Sequence, residues 1–519
     1  MKKYATLSFL AFTTPFLLSA QLQLLGHLPY APLTLAGCWH YVDNQGGEWA
    51  LVGTSAGLSI VDLSDPSQPV ERFSVPGLAN NWREIKTWDG FAYIGSEAPG
   101  SGITIVDLRA LPDSIYWKVW TGDGANEGLI NRSHTVAATD GWLYVFGGGN
   151  LTNGCVIADL SDPWNPQIAG IYDDFYVHDG YIRGNTLYSS EIYAGQFTVI
   201  DVTNKSNPVP LVSTPTPGAF NHNSWLSDDS QTLFTTDEKS NAPLASFDIS
   251  DLDNITLLDT YYPSVFPNKE VHNVRVLNDF LINPSYGGQL TLVDASRPDN
   301  LIETAWVSLG NSLVWDADPY LPSGIVFATA KNEGLFIYQP TYQHAAWLEG
   351  QVTDASTGQP ISEAKVYVLN TINADTTRPD GLYKTGNAQA GVYTVLAEKP
   401  GYASQTIPGI QLQNGIVTTL NIALVPEAVK TAESLSDAFK VFPTLFQDEF
   451  TIQLPVDSPF KVGQTIVTLT DSNGKTVWQQ TLHGTTNRLQ PDPTLPSGAY
   501  WLYLQQGQIR SVTTGLVKR

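Results

Sequence analysis

The chain has 519 residues, too many for one ordinary hydrophobic core, so about two to four domains are expected. Gly (43), Pro (33) and aromatic residues (11%) are plentiful while charged residues make up only 15%, a balance that favours a turn-rich, all-β protein over a helical one. The 27 Lys and Arg against 50 Asp and Glu give a formal net charge of −23, which repels phosphate backbones and excludes nucleic acid as a partner, while divalent cations and neutral glycans remain compatible.

Residues 1–20, "MKKYATLSFLAFTTPFLLSA", begin with a basic pair, Lys2 and Lys3. They continue apolar to Leu18 and close on the small residues Ser19 and Ala20. That is the pattern of a secretory signal peptide with Gln21 as the mature start, so an exported protein is expected. No later run reaches the ~18 apolar residues of a membrane-crossing helix, so no transmembrane segment is expected after cleavage. Export permits a disulfide, and Cys38 and Cys155 are either that pair or two free buried thiols.

From residue 21 to 342 one phrase recurs: "GLSIVDLSDPSQP", "GITIVDLRALPDS", "NGCVIADLSDPWNP", "QFTVIDVTNKSNP", "PLASFDISDLDN" and "GQLTLVDASRPDN". Its Asp falls at 62, 107, 159, 201, 248 and 294, and a seventh, degenerate copy, "EGLFIYQP", has Tyr338 in the place of the Asp. Strand-like segments repeating every forty-odd residues are the signature of a β-propeller with one four-stranded blade per repeat. Each phrase is preceded by a short apolar strand and, before that, by a more polar one ending in an Asp-Gly or Asn-Asp turn. The order is therefore inner, second, third, outer. Blade seven lacks an outer strand of its own, and "QLQLLGHLP" at the mature N-terminus is the expected substitute, closing the ring without an open edge. The recurrent Asp reads as punctuation of a turn, not as a ligand set. "GTSAG" at 53–57 fits a nucleophile elbow only in letters, because Ser55 lies in a strand-to-strand turn and not before a helix.

This stretch, with "GEWALVGTSAGLSIVDLSDPSQP", "HNSWLSDDSQTLFTTDE" and the recurring I-V-D, resembles the LVIVD-repeat propellers of the choice-of-anchor B family. The resemblance implies a secreted or surface-anchored protein. Residues 345–425 change grammar, with Gly350, Val352, Asp354, Thr357-Gly358, Pro360-Ile361, Asp380-Gly381, Tyr383, Gly391, Tyr393 and Lys399-Pro400-Gly401-Tyr402. They resemble the carboxypeptidase regulatory-like (prealbumin-like) domain, a small β-sandwich without peptidase residues that serves as a spacer. Residues 426–438 read as a linker. Residues 439–519 form a second small β-sandwich resembling the type IX secretion sorting domain of Bacteroidota. Its carriers are Val441-Phe442-Pro443, Asp471, Gly474, Leu495-Pro496-Ser497-Gly498, Tyr500 and the basic end Val517-Lys518-Arg519. The usual Pro-Asn-Pro is here Pro443-Thr444-Leu445. This resemblance implies the type IX machinery as a partner and a product that is extracellular, either released or held at the outer-membrane surface.

Chemistry is expected at one mouth of the propeller channel. His134, His178 and His272 each precede the matched apolar residue of the second strand by nine positions, and His222 by eleven, in a blade with a longer turn. Nine and eleven share parity, so all four side chains can face the same side of their strands. Arg83 holds the equivalent place in blade two and Trp315 in blade seven, while His40 is one register off. Loops opening on the same face carry Glu97, Glu191, Asp237 and Glu238. Imidazole and carboxylate together suit a divalent transition-metal ion, with His134, His178, His222 and His272 as the metal candidates. Histidines at a repeated blade position also serve as plain hydrogen-bonding residues between blades, and no residue is assigned a catalytic role from sequence. Three functions remain: a binding protein for an extracellular glycan or protein, a metal-dependent hydrolase or lyase, and a structural surface component.

Overall fold

The computed structural model describes residues 22–148, 153–427, 438–507, 509–511 and 513–519. The expected signal peptide and most of the expected linker lie outside them. Among the described residues no helix is long and apolar enough to cross a membrane. The chain divides into two compact units, one of residues 1–400 with 404–424 and the other of residues 401–403 with 425–519.

In the first unit seven four-stranded sheets succeed one another from Leu22 to Pro340. Blade one shows the pattern: inner strand Leu35–Val42, second Glu48–Thr54, third Gly57–Asp62 and outer Val70–Pro76, each antiparallel to the next. The third strand is buried along nearly its whole length, because its apolar run is covered on both faces, whereas the outer strand is mostly exposed. A bulge recurs between the third and outer strands, at Ile60/Val61, Ile157/Ala158, Val199/Ile200, Ser246/Phe247 and Leu292/Val293. It increases the local twist that each blade needs. The repeated Asp then accepts the backbone N–H two residues on, at 2.9 Å for Asp62, 3.1 Å for Asp107, 2.6 Å for Asp159, 2.7 Å for Asp201, 2.9 Å for Asp248 and 3.0 Å for Asp294. Six identical Asx turns fix the Asp row as the stop signal of its strand.

The inner strands of blades two to seven are Arg83–Trp88, Thr135–Thr139, Asp179–Arg183, Asn221–Leu226, Arg275–Leu277 and Val314–Asp318. They line the channel, with the blade-one strand touching those of blades two and seven. Leu22–Leu28 pairs antiparallel with Gly334–Pro340 and supplies the outer strand of blade seven. Cys38 and Cys155 are both buried and free.

After Pro340 the chain enters a two-sheet sandwich. Ala346–Asp354, Leu382–Asn387, Val417–Thr419 and Ile422–Pro426 belong to one sheet, and Lys365–Val368, Ala374–Thr376, Gly391–Glu398 and Gln405–Leu412 form the other. This sandwich is docked on blade six. Arg297 pairs with Glu349 at 2.7 Å, Asn300 donates to the Thr385 carbonyl at 3.0 Å, and Ile302 packs on Ala345 and Trp347. The second unit is itself a small sandwich with a core that includes Phe450, Ile452, Val467, Leu469, Leu502 and Leu504. Ala438 and Phe439 are part of that core, so the fold starts at the end of the stretch read as linker.

Candidate metal centre at the channel mouth

The inner strands do not run straight to the mouth. His222 falls at a register shift between Asn221 and Asn223, and Trp315 at one between Val314 and Asp316. A bulge re-aims the side chain that it carries, and here it turns both towards the channel axis. His134, His178 and His272 sit just ahead of their strands, each tied by its backbone N–H to a carbonyl of the second strand: Phe146 at 2.9 Å, Ser190 at 2.8 Å and Pro284 at 2.9 Å.

The result is an arc of four imidazoles. Ring centroids are 3.8 Å apart for His134 and His178, 4.4 Å for His178 and His222, and 4.2 Å for His222 and His272. One ligand atom from each of His134, His178 and His222 lies within 4.8 Å of the others, and the same holds for His222, Glu238 and His272. These spacings are at the reach of a common ion with metal–nitrogen bonds of ~2.1 Å.

Second partners orient the rings. His134 Nδ1–H donates to Glu97 Oε1 at 2.6 Å, and His272 Nδ1–H donates to the Trp315 carbonyl at 2.5 Å. Both bonds leave the Nε2 lone pair for a ligand, the arrangement that metal-binding histidines use. Tyr286 stacks on His272 with centroids 4.5 Å apart and donates its hydroxyl to Glu238 Oε1 at 2.8 Å. Glu238 Oε2 stands 4.0 Å from His222 Nε2. His178 Nε2 and His222 Nδ1 are buried with no hydrogen-bond partner. An unmade bond on a buried polar atom costs ~1–3 kcal/mol, so two such atoms in one cluster call for a ligand. Burial holds the pKa of His178 and His272 well below the ordinary histidine value and lowers that of His222, which keeps these rings neutral and competent to coordinate.

The next layer of the channel is of another kind. Arg275 pairs with Asp316 at 2.8 Å, His40 Nδ1–H donates to Asp318 at 2.8 Å, and Glu84 accepts from the Trp315 indole at 2.9 Å. Trp225 stacks on Tyr320 and Tyr181 leans on Trp225, with centroids 5.9 and 4.7 Å apart, so aromatic rings close the channel there. Asp179, Glu84 and Asp316 face the cations of Lys86 and Arg275. Burial and then the Asp316 charge push the Glu84 carboxyl up to about 7.

Of the other residues expected at the mouth, Glu97 and Glu238 are there. Four are not. Glu191 is fully buried inside blade four, where it accepts from Tyr172, Ser189, Gln196 and Thr198 at 2.9, 2.9, 2.7 and 2.9 Å. Asp237 accepts from Thr216 at 2.5 Å and from the N–H groups of Gly218 and Phe220 at 2.9 and 2.8 Å, bracing the chain between blades four and five. Arg83 is buried and spends its guanidinium on the carbonyls of Thr54 and Leu78, tying blade two to blade one. His40 belongs to the lower layer with Asp318: its register against Ala50 places it beyond the bulge that separates Leu35 from Cys38. Burial depresses its pKa, but the Asp318 carboxylate more than offsets this, so it lies above the ordinary value. Ser55 occupies the two-residue turn between Glu48–Thr54 and Gly57–Asp62, with no helix after it.

Sequence reasoning missed Tyr286 as an orienting group, and it missed the buried network of Glu84, Arg275 and Asp316. Charged letters inside strand patterns, in "REIKTW", "HNVRV" and "VWDAD", were the available signal.

The LVIVD repeat family matches residues 46–76 and 133–174, the second match including His134, and the carboxypeptidase regulatory-like domain family matches residues 348–425. No curated protein matches the chain. Among solved structures, the WD40 β-propeller domain of Doa1 is similar over 62% of this chain and 97% of that one, at 11% identity and a TM-score of 0.45.

Proposed function

We propose that this chain is an exported metal-binding propeller that recognises an extracellular ligand, glycan or protein, through a divalent transition-metal ion held by the histidine arc. The observation that carries the reading is the pair of buried, unpartnered imidazole nitrogens on His178 and His222, inside a set of ligand atoms within 4.8 Å of one another. A nitrogen-rich set of this kind suits Zn, Ni, Cu or Fe over Mg or Ca. The oriented Nε2 of His134 supports it. The rims at Glu97 and Glu238, whose side chains are 32% and 26% exposed, are where the ion would meet solvent and ligand.

Export rests on the pattern of residues 1–20 and on the type IX resemblance of residues 439–519, and surface placement on the likeness to the choice-of-anchor B family. In this reading the first sandwich holds the propeller at a fixed offset and the second is the export address. A metal-dependent hydrolase or lyase is the second reading. It is favoured by the Tyr286–Glu238 hydrogen bond beside His222, a phenol and carboxylate placed to pass a proton next to an ion.

Elemental analysis of the purified, dialysed protein is the test, with His178→Ala as its control. Bound Zn, Ni, Cu or Fe that is lost in the variant supports the proposal. Wild-type protein that stays metal-free after exposure to each of these ions sinks it.

A further inference from the structure

The arc contains two ligand sets, not one. His134, His178 and His222 form the first; His222, Glu238 and His272 form the second, and His222 belongs to both. Each set has its own orienting group at its far end. Glu97 holds His134 on one side, while the Trp315 carbonyl holds His272 and the Tyr286 hydroxyl holds Glu238 on the other. The two nitrogens of His222 differ in surroundings: Nε2 stands 4.0 Å from Glu238, and Nδ1 is buried with no partner. A single imidazole donates one lone pair while neutral and two once its remaining N–H is lost.

Resting on the metal reading above, we infer that the mouth of the propeller holds two divalent ions joined by His222 as a bridging imidazolate. His134, His178 and His222 Nδ1 bind one ion; Glu238, His272 and His222 Nε2 bind the other. Forming the bridge releases one proton, the His222 N–H, to solvent. No electron is transferred. The ions would lie about 6 Å apart, set by two metal–nitrogen bonds of ~2.1 Å across the ring, against ~3.5–4 Å for the pairs that clamp both oxygens of a displacement. The two ions therefore do not share one hydroxide. Each keeps its own ligands, and the imidazolate couples them electronically. The first set, with three imidazoles, and the second, with two imidazoles and a carboxylate, differ in charge, so they need not hold the same metal.

The experiment is metal stoichiometry on the full chain, loaded with Zn(II) for elemental analysis and with Cu(II) for electron paramagnetic resonance. Two ions per chain are expected, with a Cu(II) spectrum that shows exchange coupling and reduced intensity at low temperature. His134→Ala and His272→Ala should each retain one ion and give an uncoupled spectrum. His222→Gln should lose the coupling, and circular dichroism of each variant verifies the fold. Because His134 is the least buried of the four, with its side chain 12% exposed, its variant keeps the test usable if the deeper ones unfold. One ion in the wild type, lost alike in His134→Ala and His272→Ala, overturns the bridge and leaves a single shared centre. No ion at all overturns the metal reading together with it.

Discussion

The mouth and the layer beneath it are built from similar side chains and come to opposite ends. Below, each charged group has a partner, although Arg275 Nε is left bare: Arg275 pairs with Asp316, His40 with Asp318, and Glu84 with the Trp315 indole. At the mouth, His178 and His222 are as buried as their neighbours below, yet each leaves a ring nitrogen bare. Burial of charge is tolerated when it is paired, so the lower layer is explained by its ion pairs, whereas the upper one leaves a nitrogen bare on each of two adjacent imidazoles.

The sharpest way to break this contrast is to remove an upper residue. His178→Ala should remove the ion of the His134, His178 and His222 set in elemental analysis, with an affinity loss at that set greater than the ~10–100-fold typical of outer-sphere changes, while the chemical denaturation midpoint of the metal-free protein barely moves. Arg275→Met should do the reverse. It strands Asp316, which is fully buried, and should cost ~3–5 kcal/mol in denaturant unfolding.

Glu84 gives the comparison a pH axis. Its carboxyl is raised from 4.5 to about 7, so the folded chain keeps a proton that the unfolded chain has already lost between those values. Stability of the metal-free protein should therefore fall as pH rises through that window and level off above it, by on the order of 3 kcal/mol. Glu84→Gln should flatten that profile, which denaturant titrations between pH 4.5 and 8 would read. The smallest change is Glu97→Gln. It weakens the orientation of His134, and metal affinity should drop ~10–100-fold in a competition titration, with no shift of the thermal transition.

The four histidines were legible because a repeat supplies its own ruler: once Leu143, Leu187, Leu233 and Leu281 are aligned, parity along a strand settles which face each His takes. The same ruler anticipated Leu22–Leu28 as the missing strand of blade seven, but it carried Arg83 to the mouth, where the guanidinium instead ties blade two to blade one. It failed for Glu191 and Asp237. A carboxylate in a loop looks alike in sequence whether it points at the axis or is consumed by nearby hydroxyls and N–H groups, since that depends on loop geometry the repeat does not encode. His40 went astray for a related reason, because a bulge in the blade-one inner strand shifts its neighbours by an amount that spacing cannot show. Tyr286 was hidden because it closes the run "FLINPSY", which reads as one more apolar-aromatic blade strand, whereas its strand ends at Ser285.

The strand Leu22–Leu28 carries a consequence for how the ring comes together. His27 meets the Glu333 carbonyl across 306 positions of chain, at 2.7 Å. Contacts that distant form late, since most of the loop-closure entropy must be overcome first. Until Leu22–Leu28 is in place, the edge of Gly334–Pro340 is bare and Leu24 lacks its partner Tyr338. Blade seven also contributes Trp315, which holds His272 by its carbonyl and Glu84 by its indole. The latch thus closes the outer edge of the same blade whose inner strand seats His272, so the two ends of the propeller and the seat of His272 share one sheet.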